Sequence, residues 1–433
     1  MRFTTMAMNE TTTKIFPYLE RLLDGEEVEW KTLGEVGTFV RGTSFQKKHF
    51  VEKGVGCIHY GEIYTRYGLF AKKTISYLNE EIANKARKAS YGDLIIATTS
   101  ENDDDVCKSV AWLGSESIVV SNDACYYHHT LNPKYVAYFF RTDEFQRQKR
   151  TYITGTKVKR VNANDLAKIT LPIPPLRVQA RIVEILDKFT QLEAELEAEL
   201  EARRKQYAYY RDQLLNFSQY PPLNVNIEWR TLGEIAELYS GLSGKTKEHF
   251  QKGNAPYVTY KNIFDNLAVD SSILEMVSIG ADERQHAVKY GDVLITGSSE
   301  NIEEVGMSSV VTFHPEKEIY LNSFSFGIRF HSAVQLSPEF TKYLFRSELL
   351  RKQIMKTASG VTRFNVSKKK FLGITLPIPP LSEQRRIVDI LDRFDTLTNS
   401  ISEGLPKEIA LRRKQYAYYR DALLSFPRPE VSA

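Results

Sequence analysis

The segment RRKQYAYYRDQLLNF at 203–217 recurs as RRKQYAYYRDALLSF at 412–426, with two differences in 15 positions. A repeat this close constrains the fold more than any composition figure, because one set of local rules must hold twice. Three further pairs follow in the same order: WKTLGEV (30–36) with WRTLGEI (229–235), SYGDLIIATTSEN (90–102) with KYGDVLITGSSEN (289–301), and LPIPPL (171–176) with LPIPPL (376–381). The 433 residues are a tandem duplication, the second copy longer by six residues in its body and four in its helix.

Each body reads as short apolar runs broken by Gly and Asn. Strands are expected over 93–98 and 292–296, each after a Tyr-Gly-Asp turn. PKYVAYFFRT (133–142) and PEFTKYLFRS (338–347) open on proline and space their aromatics helically, which predicts one short helix in each copy. Two mixed α/β bodies of about 145 to 150 residues result.

LPIPPL ends regular structure, because proline removes a backbone donor and disfavours helix in the residue before it. A long helix follows. In the first copy Ile182, Ile185, Phe189, Leu192 and Leu196 keep a three-four spacing, then Leu200, Tyr207, Tyr210 and Leu214 continue with a shift of four. That is a coiled-coil seam with a stutter. The second copy gives Ile387, Ile390, Phe394, Leu397 and Ile401, then Ile409, Tyr416, Tyr419 and Leu423, and a break is expected near Gly404 to Pro406. Two such helices of about 60 Å at 1.5 Å per residue can pack antiparallel with the bodies at opposite ends. The fold class is therefore α+β, with two mixed α/β domains separated by two long helices in an antiparallel coiled coil and an internal pseudo-two-fold symmetry.

The net charge of +4 conceals its distribution. Residues 30–175 carry about +6 (21 basic against 15 acidic), residues 229–380 about +2 (18 against 16), and LEAELEAELEA at 192–202 has five glutamates and no base. Basic residues gather at Lys47, Lys48 and His49, at Lys157, Lys159 and Arg160, at Lys245 and Lys247, and at Arg363 with Lys368. Thr43, Thr154, Thr156, Asn162 and Thr362 lie beside them. Arg and Lys can bridge phosphates or a guanine edge, and Asn and Thr can read base edges in a major groove.

Motifs of other chemistries are missing from the sequence. Cys57, Cys107 and Cys125 are odd in number and form no CxxC pair, so a disulfide framework and a zinc cluster are both unsupported. GLSGKT (241–246) has Tyr239 where a phosphate loop needs Gly. The acidic run at 103–105 reads as a loop, and His128–His129 has no matching pair in the second copy. No window has the length and apolarity of a membrane span or a signal peptide, so a cytoplasmic protein without membrane association is expected.

Two bodies, each followed by LPIPPL, a helix start with glutamine (Gln179, Gln384) and a Tyr-rich helix end, closely resemble the specificity subunit of type I restriction-modification systems. FPYLERLLDGEEVEW (16–30) resembles the stretch that follows YYRDQLLNF, as a circular pseudo-symmetry of that family requires. The resemblance implies an N-terminal segment at 1–28, target-recognition domains at 29–175 and 219–380, a central helix at 176–218, and a C-terminal helix and tail at 381–433. Each domain would read one half of a bipartite, asymmetric double-stranded DNA site, and the helices would set the gap and hold two modification subunits. Those subunits, not this chain, would carry S-adenosylmethionine and the adenine chemistry, with restriction subunits completing the complex; the chain itself would be non-catalytic and hold no metal. Tyr207, Tyr209, Tyr210, Tyr416, Tyr418 and Tyr419 are too many aromatics for one seam and are candidate contacts to the modification subunits. Where the second helix start has Ser382 and Glu383 the first has Arg177 and Val178, so a weaker cap is expected there. Two other readings fit the same residues: a stand-alone two-domain DNA-binding regulator, and a coiled-coil scaffold whose bodies bind protein.

Overall fold

The computed structural model describes residues 16–222, 225–400 and 402–428. The chain divides into two units, Met1–Leu196 with Ile409–Ala433, and Glu197–Glu408. The end of the chain thus belongs with its beginning, and each unit contains part of the long helix rather than stopping at it.

In the first unit the buried strand Leu94–Ala97 lies between Ala124–His129 and Ser109–Trp112, antiparallel to both, in a five-stranded sheet. A second five-stranded sheet is centred on Val55–Ile58. In the second unit Val293–Thr296 takes the corresponding place in a sheet of four described strands. The Tyr-Gly-Asp turn is built as its residues suggest: Asp93 Oδ2 accepts the Ser90 N–H at 2.7 Å, and Asp292 Oδ2 accepts the Lys289 N–H at 2.8 Å.

The single helix expected after each sheet is two. Pro133–Phe139 is followed by Asp143–Arg150, and Pro338–Leu344 by Glu348–Thr357. Thr142 and Ser347 start the second helices by accepting the N–H groups of Phe145 and Leu350. A Thr or Ser followed by acidic residues is an N-terminal signal that the aromatic spacing overshadowed.

Repeated motifs make repeated bonds. Trp30 pairs with Pro172 and Trp229 with Pro377 in equivalent two-stranded ribbons. Gln179 is buried, accepts the Asn132 N–H at 3.0 Å and donates to Pro174 O at 2.8 Å; Gln384 accepts the Ser337 N–H at 2.8 Å and donates to Pro379 O at 2.8 Å. Each glutamine thereby locks the start of a long helix to the start of an aromatic helix. One turn or two further, the Tyr138 hydroxyl donates to Asp187 and that of Tyr343 to Asp392.

The first helix is continuous over Leu176–Leu215. The second is broken into Leu381–Asn399 and Leu405–Leu423, where Gly404 and Pro406 foretold a break; Ile401 lies outside the described residues. In the first unit Phe189 stacks on Tyr419 at 5.3 Å and Glu193 pairs with Arg413 at 2.6 Å, an antiparallel order. The core of that unit joins Tyr135, Phe139 and Phe145 with Ile182, Leu186, Leu423 and Phe426, and also with Leu19 and Leu23 of the helix Pro17–Leu23. Burial of those two leucines contributes about 2 kcal/mol apiece. The two helix starts differ in charge, with Glu383 in the first turn of the second and no acidic residue in that of the first. No side-chain cap bond stands at Pro380, and in the first helix Arg177 reaches back to Glu26 and to the carbonyls of Leu22 and Leu23.

Candidate nucleic-acid interface

A hairpin stands at the same point of each repeat. In the first unit Thr154 and Arg160 exchange backbone hydrogen bonds of 2.9 Å, and Lys159–Arg160 pairs with Thr99–Ser100. In the second, Phe364–Val366 pairs with both Ala358–Ser359 and Ser298–Ser299. The turns need Gly155 (φ +91°) and Gly360 (φ +145°), where a Cβ would strike the Val158 and Arg363 carbonyl oxygens. The tips hold Thr156 and Lys157, or Val361 and Thr362, in solvent.

Beside each hairpin lies an open cleft. That of the first unit, about 390 Å³, is lined by Arg41, Thr98, Thr99, Asp123, Thr154 and Arg160, among others. That of the second, about 490 Å³, is lined by Tyr260, Lys261, Ser299, Glu304, Phe324 and Arg363, among others. Arg363 is aimed by the Ser298 hydroxyl, which accepts from Nε and Nη2 at 3.1 and 3.0 Å. The first cleft offers three threonines, two asparagines, Asp123 and two guanidinium groups, the second three aromatic rings with two serines, two glutamates, Lys261 and Arg363, and only Thr99 and Asp123 of the first have their repeat counterparts, Ser298 and Phe324, in the second.

Several candidate residues are occupied inside the fold. Asn162 caps the helix Ala163–Leu166, accepting from the Asp165 N–H at 2.9 Å while lining the cleft. Lys159 pairs with Asp103 at 3.1 Å. Lys245 is corrected from surface contact to structural ion: its side chain is 3% exposed, with Nζ 2.5 Å from Glu283 and 2.7 Å from Ser278 O. That ammonium holds the Glu283 carboxyl down to about 2. Thr43 accepts the Arg87 N–H at 3.3 Å, and Lys47, Lys48 and His49 form a short turn in which His49 Nδ1 accepts the Gln46 N–H. Lys368 donates to the Ser240 hydroxyl at 2.8 Å, and Lys247 is exposed. Arg41, Asp123, Lys261 and Phe324 line the clefts without having been singled out, because cleft membership is set by pairing between distant strands. Only Phe324 left a trace, as an aromatic in the polar turn NSFS that is 65% exposed.

The tyrosines separate cleanly. Tyr207 and Tyr210 stack on Phe394 at 6.2 and 5.6 Å, Tyr419 stacks on Phe189, and Tyr416 meets Tyr138 edge-on at 6.5 Å. Tyr207, Tyr416 and Tyr419 thus serve the cores of their own units. Tyr209 and Tyr418, equivalent in the repeat, are 58% and 64% exposed.

The model of the type I restriction modification DNA specificity domain matches twice, over residues 25–202 and 224–411. The chain belongs to this family. It is a specificity subunit, the non-catalytic component of a type I restriction-modification complex. It is 37% identical over 440 residues to the EcoR124I/EcoR124II specificity subunit of Escherichia coli, covering 96% of this chain and 98% of the relative. A putative type I specificity subunit of Haemophilus influenzae is 30% identical over 426 residues, covering 94% and 98%. The same fold occurs in a chain of a type I R-M system solved for its complex assembly and conformational transition (TM-score 0.62, 19% identity, 92% and 98% covered). It occurs also in the HsdS subunit of Thermoanaerobacter tengcongensis (TM-score 0.53, 18% identity, 92% and 97% covered). Among the described residues no helix of this specificity subunit is long and apolar enough to cross a membrane.

Proposed function

We propose that each unit reads one half of a bipartite, asymmetric double-stranded DNA site through its cleft and hairpin. The observation that carries this reading is the hairpin that stands at the same point of each repeat with unlike residues along it, Lys157, Val158 and Arg160 in one and Thr362, Arg363 and Asn365 in the other. Equal placement suits two half-sites on one duplex, and unequal chemistry suits two different sequences. Lys48, Thr156, Lys157, Lys247 and Thr362, exposed around these elements, supply phosphate contacts.

The long helices set the gap between the half-sites. They also hold two modification subunits, through a surface that includes Tyr209 and Tyr418. Those subunits bring S-adenosylmethionine and methylate adenine, restriction subunits join the full complex, and the assembly acts on cytoplasmic DNA. The domain limits given above, 29–175 and 219–380, bound the two readers. Co-expression with the modification subunit, followed by single-molecule methylation sequencing, tests the reading. A two-part motif with unlike halves is expected, whereas an uninterrupted palindrome would refute it.

A further inference from the structure

Two guanidinium groups of the second unit bond to backbone carbonyls and form no ion pair within 4 Å among the described residues, although Asp265 acts on Arg346 from farther off. Arg346 stands between the helices Pro338–Leu344 and Glu348–Thr357, and Arg351 lies in the latter. Arg346 donates from Nη2 to Ile263 O and Phe264 O, both at 2.9 Å, and from Nε to Ser308 O at 2.8 Å. Arg351 donates from Nη2 to Glu303 O at 2.9 Å and Val305 O at 2.7 Å, and from Nη1 to Gly306 O at 2.8 Å. Burial, with Arg351 and Arg211 nearby, draws the Arg346 pKa down to about 10, so the group stays charged at neutral pH at a desolvation cost.

The carbonyls so held belong to the end of the helix Tyr260–Asp265, to the turn around Ile302–Glu304 and, at Ser308, to the strand Ser308–Val310 that follows it. Side chains from these same segments, Phe264 and Glu304, line the recognition cleft. Behind them, Asp265, Leu267, Glu303 and Met307 line a separate cavity of about 740 Å³ together with Arg346 and Arg351. A cavity on that side removes packing support, so the guanidinium bonds fix where the two walls stand. The first unit clasps the matching segments with other residues: Lys108 donates to Tyr64 O at 3.0 Å, and buried Lys149 to Asp104 O and Val106 O at 3.0 and 2.9 Å. Counted from Thr142 and Ser347, Gln146 occupies the place of Arg351, while Arg141, likewise shifted down by burial, occupies that of Arg346. The clasp on the turn therefore recurs without the same residue.

We infer that Arg346 and Arg351 are positioning residues for base readout in the second unit, setting the separation of the cleft walls that carry Phe264 and Glu304. This rests on the cleft being the DNA-reading surface. The test uses the complete complex with the modification subunit, comparing genomic methylation for the unaltered chain, Arg346→Met, Arg351→Met and the conservative Arg351→Lys, with thermal unfolding followed in parallel. In the Met variants one half of the motif should relax, with methylation at sites carrying one mismatch in that half rising about tenfold. The other half and the gap should be unchanged, and Arg351→Lys should fall between. An unchanged motif, or equal relaxation of both halves, would overturn the inference. If the Met variants do not fold, Arg351→Lys decides on the same criteria. A two-part motif missing from the unaltered complex would instead overturn the reading beneath it.

Discussion

Asp421 Oδ1 accepts the backbone N–H of Asp143, 278 residues earlier in the chain, at 2.9 Å. In the second unit Asp212 Oδ1 accepts the N–H of Glu348 at 3.3 Å. Both N–H groups belong to the first turn of a helix, where donors lack intrahelical partners and the dipole favours negative charge. The aspartate of the repeated Tyr-Tyr-Arg-Asp motif thus docks a long helix onto a recognition body. Asp421→Ala should cost about 1 to 2 kcal/mol in denaturant unfolding, and Asp212→Ala, with the longer bond, about half as much.

Those bonds also show why the motif was readable and its purpose was not. The duplication, the buried strands, the helix break at Gly404 and the shared core positions follow from local pattern, which a sequence carries directly. Asp143 and Asp421 are neighbours only after a whole body has folded between them. The clefts fail to announce themselves for the same reason: Arg41 and Arg160, in separate strands, and Asp123, in the turn before a third, meet only through strand pairing. Counting cations also misplaced Lys245, since a lysine beside a glycine turn looks identical in sequence whether its ammonium faces water or Glu283.

Lys245 and Lys247, two residues apart, should therefore behave oppositely. Removing Lys245 leaves the Glu283 carboxylate and Ser278 O without their cation, so Lys245→Ala should lower stability and leave the salt slope of DNA binding unchanged in the folded fraction. Lys247→Ala should change stability by less than about 0.5 kcal/mol while reducing the salt slope by about one. Binding titrations at several salt concentrations, paired with unfolding curves, separate the two.

His129 gives the first unit an acid sensitivity. The ring is buried against Tyr127 at 5.0 Å, and burial, with His128 beside it, pushes the pKa down to about 4 against the opposing pull of the Leu131 backbone. The unfolded chain, with an ordinary value of about 6.5, binds more protons between those limits. Stability is complete above about 6.5 and falls as pH drops towards about 4, by roughly 2 kcal/mol between pH 7 and pH 5. Urea unfolding at the two pH values should show that loss, and His129→Phe should shrink it.

Tyr209 and Tyr418 are set apart from their neighbours by exposure at equivalent positions. Tyr209→Ala and Tyr418→Ala should each weaken assembly with the modification subunit about tenfold, a change near 1.4 kcal/mol, with little effect on unfolding. Tyr207→Ala should do the reverse, costing about 3 kcal/mol of stability through the space left beside Phe394. Equal assembly by all three variants would remove the exposed tyrosines from the interface.

The tetrad repeat at 192–202 lies wholly within the continuous helix Leu176–Leu215. Two of its glutamates pair along the helix itself, Glu199 with Arg203 and Glu201 with Lys205, each at 2.7 Å, which adds helicity. Glu193, which pairs with Arg413, lies ahead of residues 196–199. Deleting those four removes about 6 Å of helix and about 40° beyond one full turn, leaving helical registry on either side nearly in phase. Against base steps of 3.4 Å, that length corresponds to one or two base pairs. Methylation sequencing of the deletion variant should return both half-sites intact with the gap shortened by that amount. An unaltered gap in a complex that still methylates would mean that the repeat is a solvated spacer and that the distance is set elsewhere.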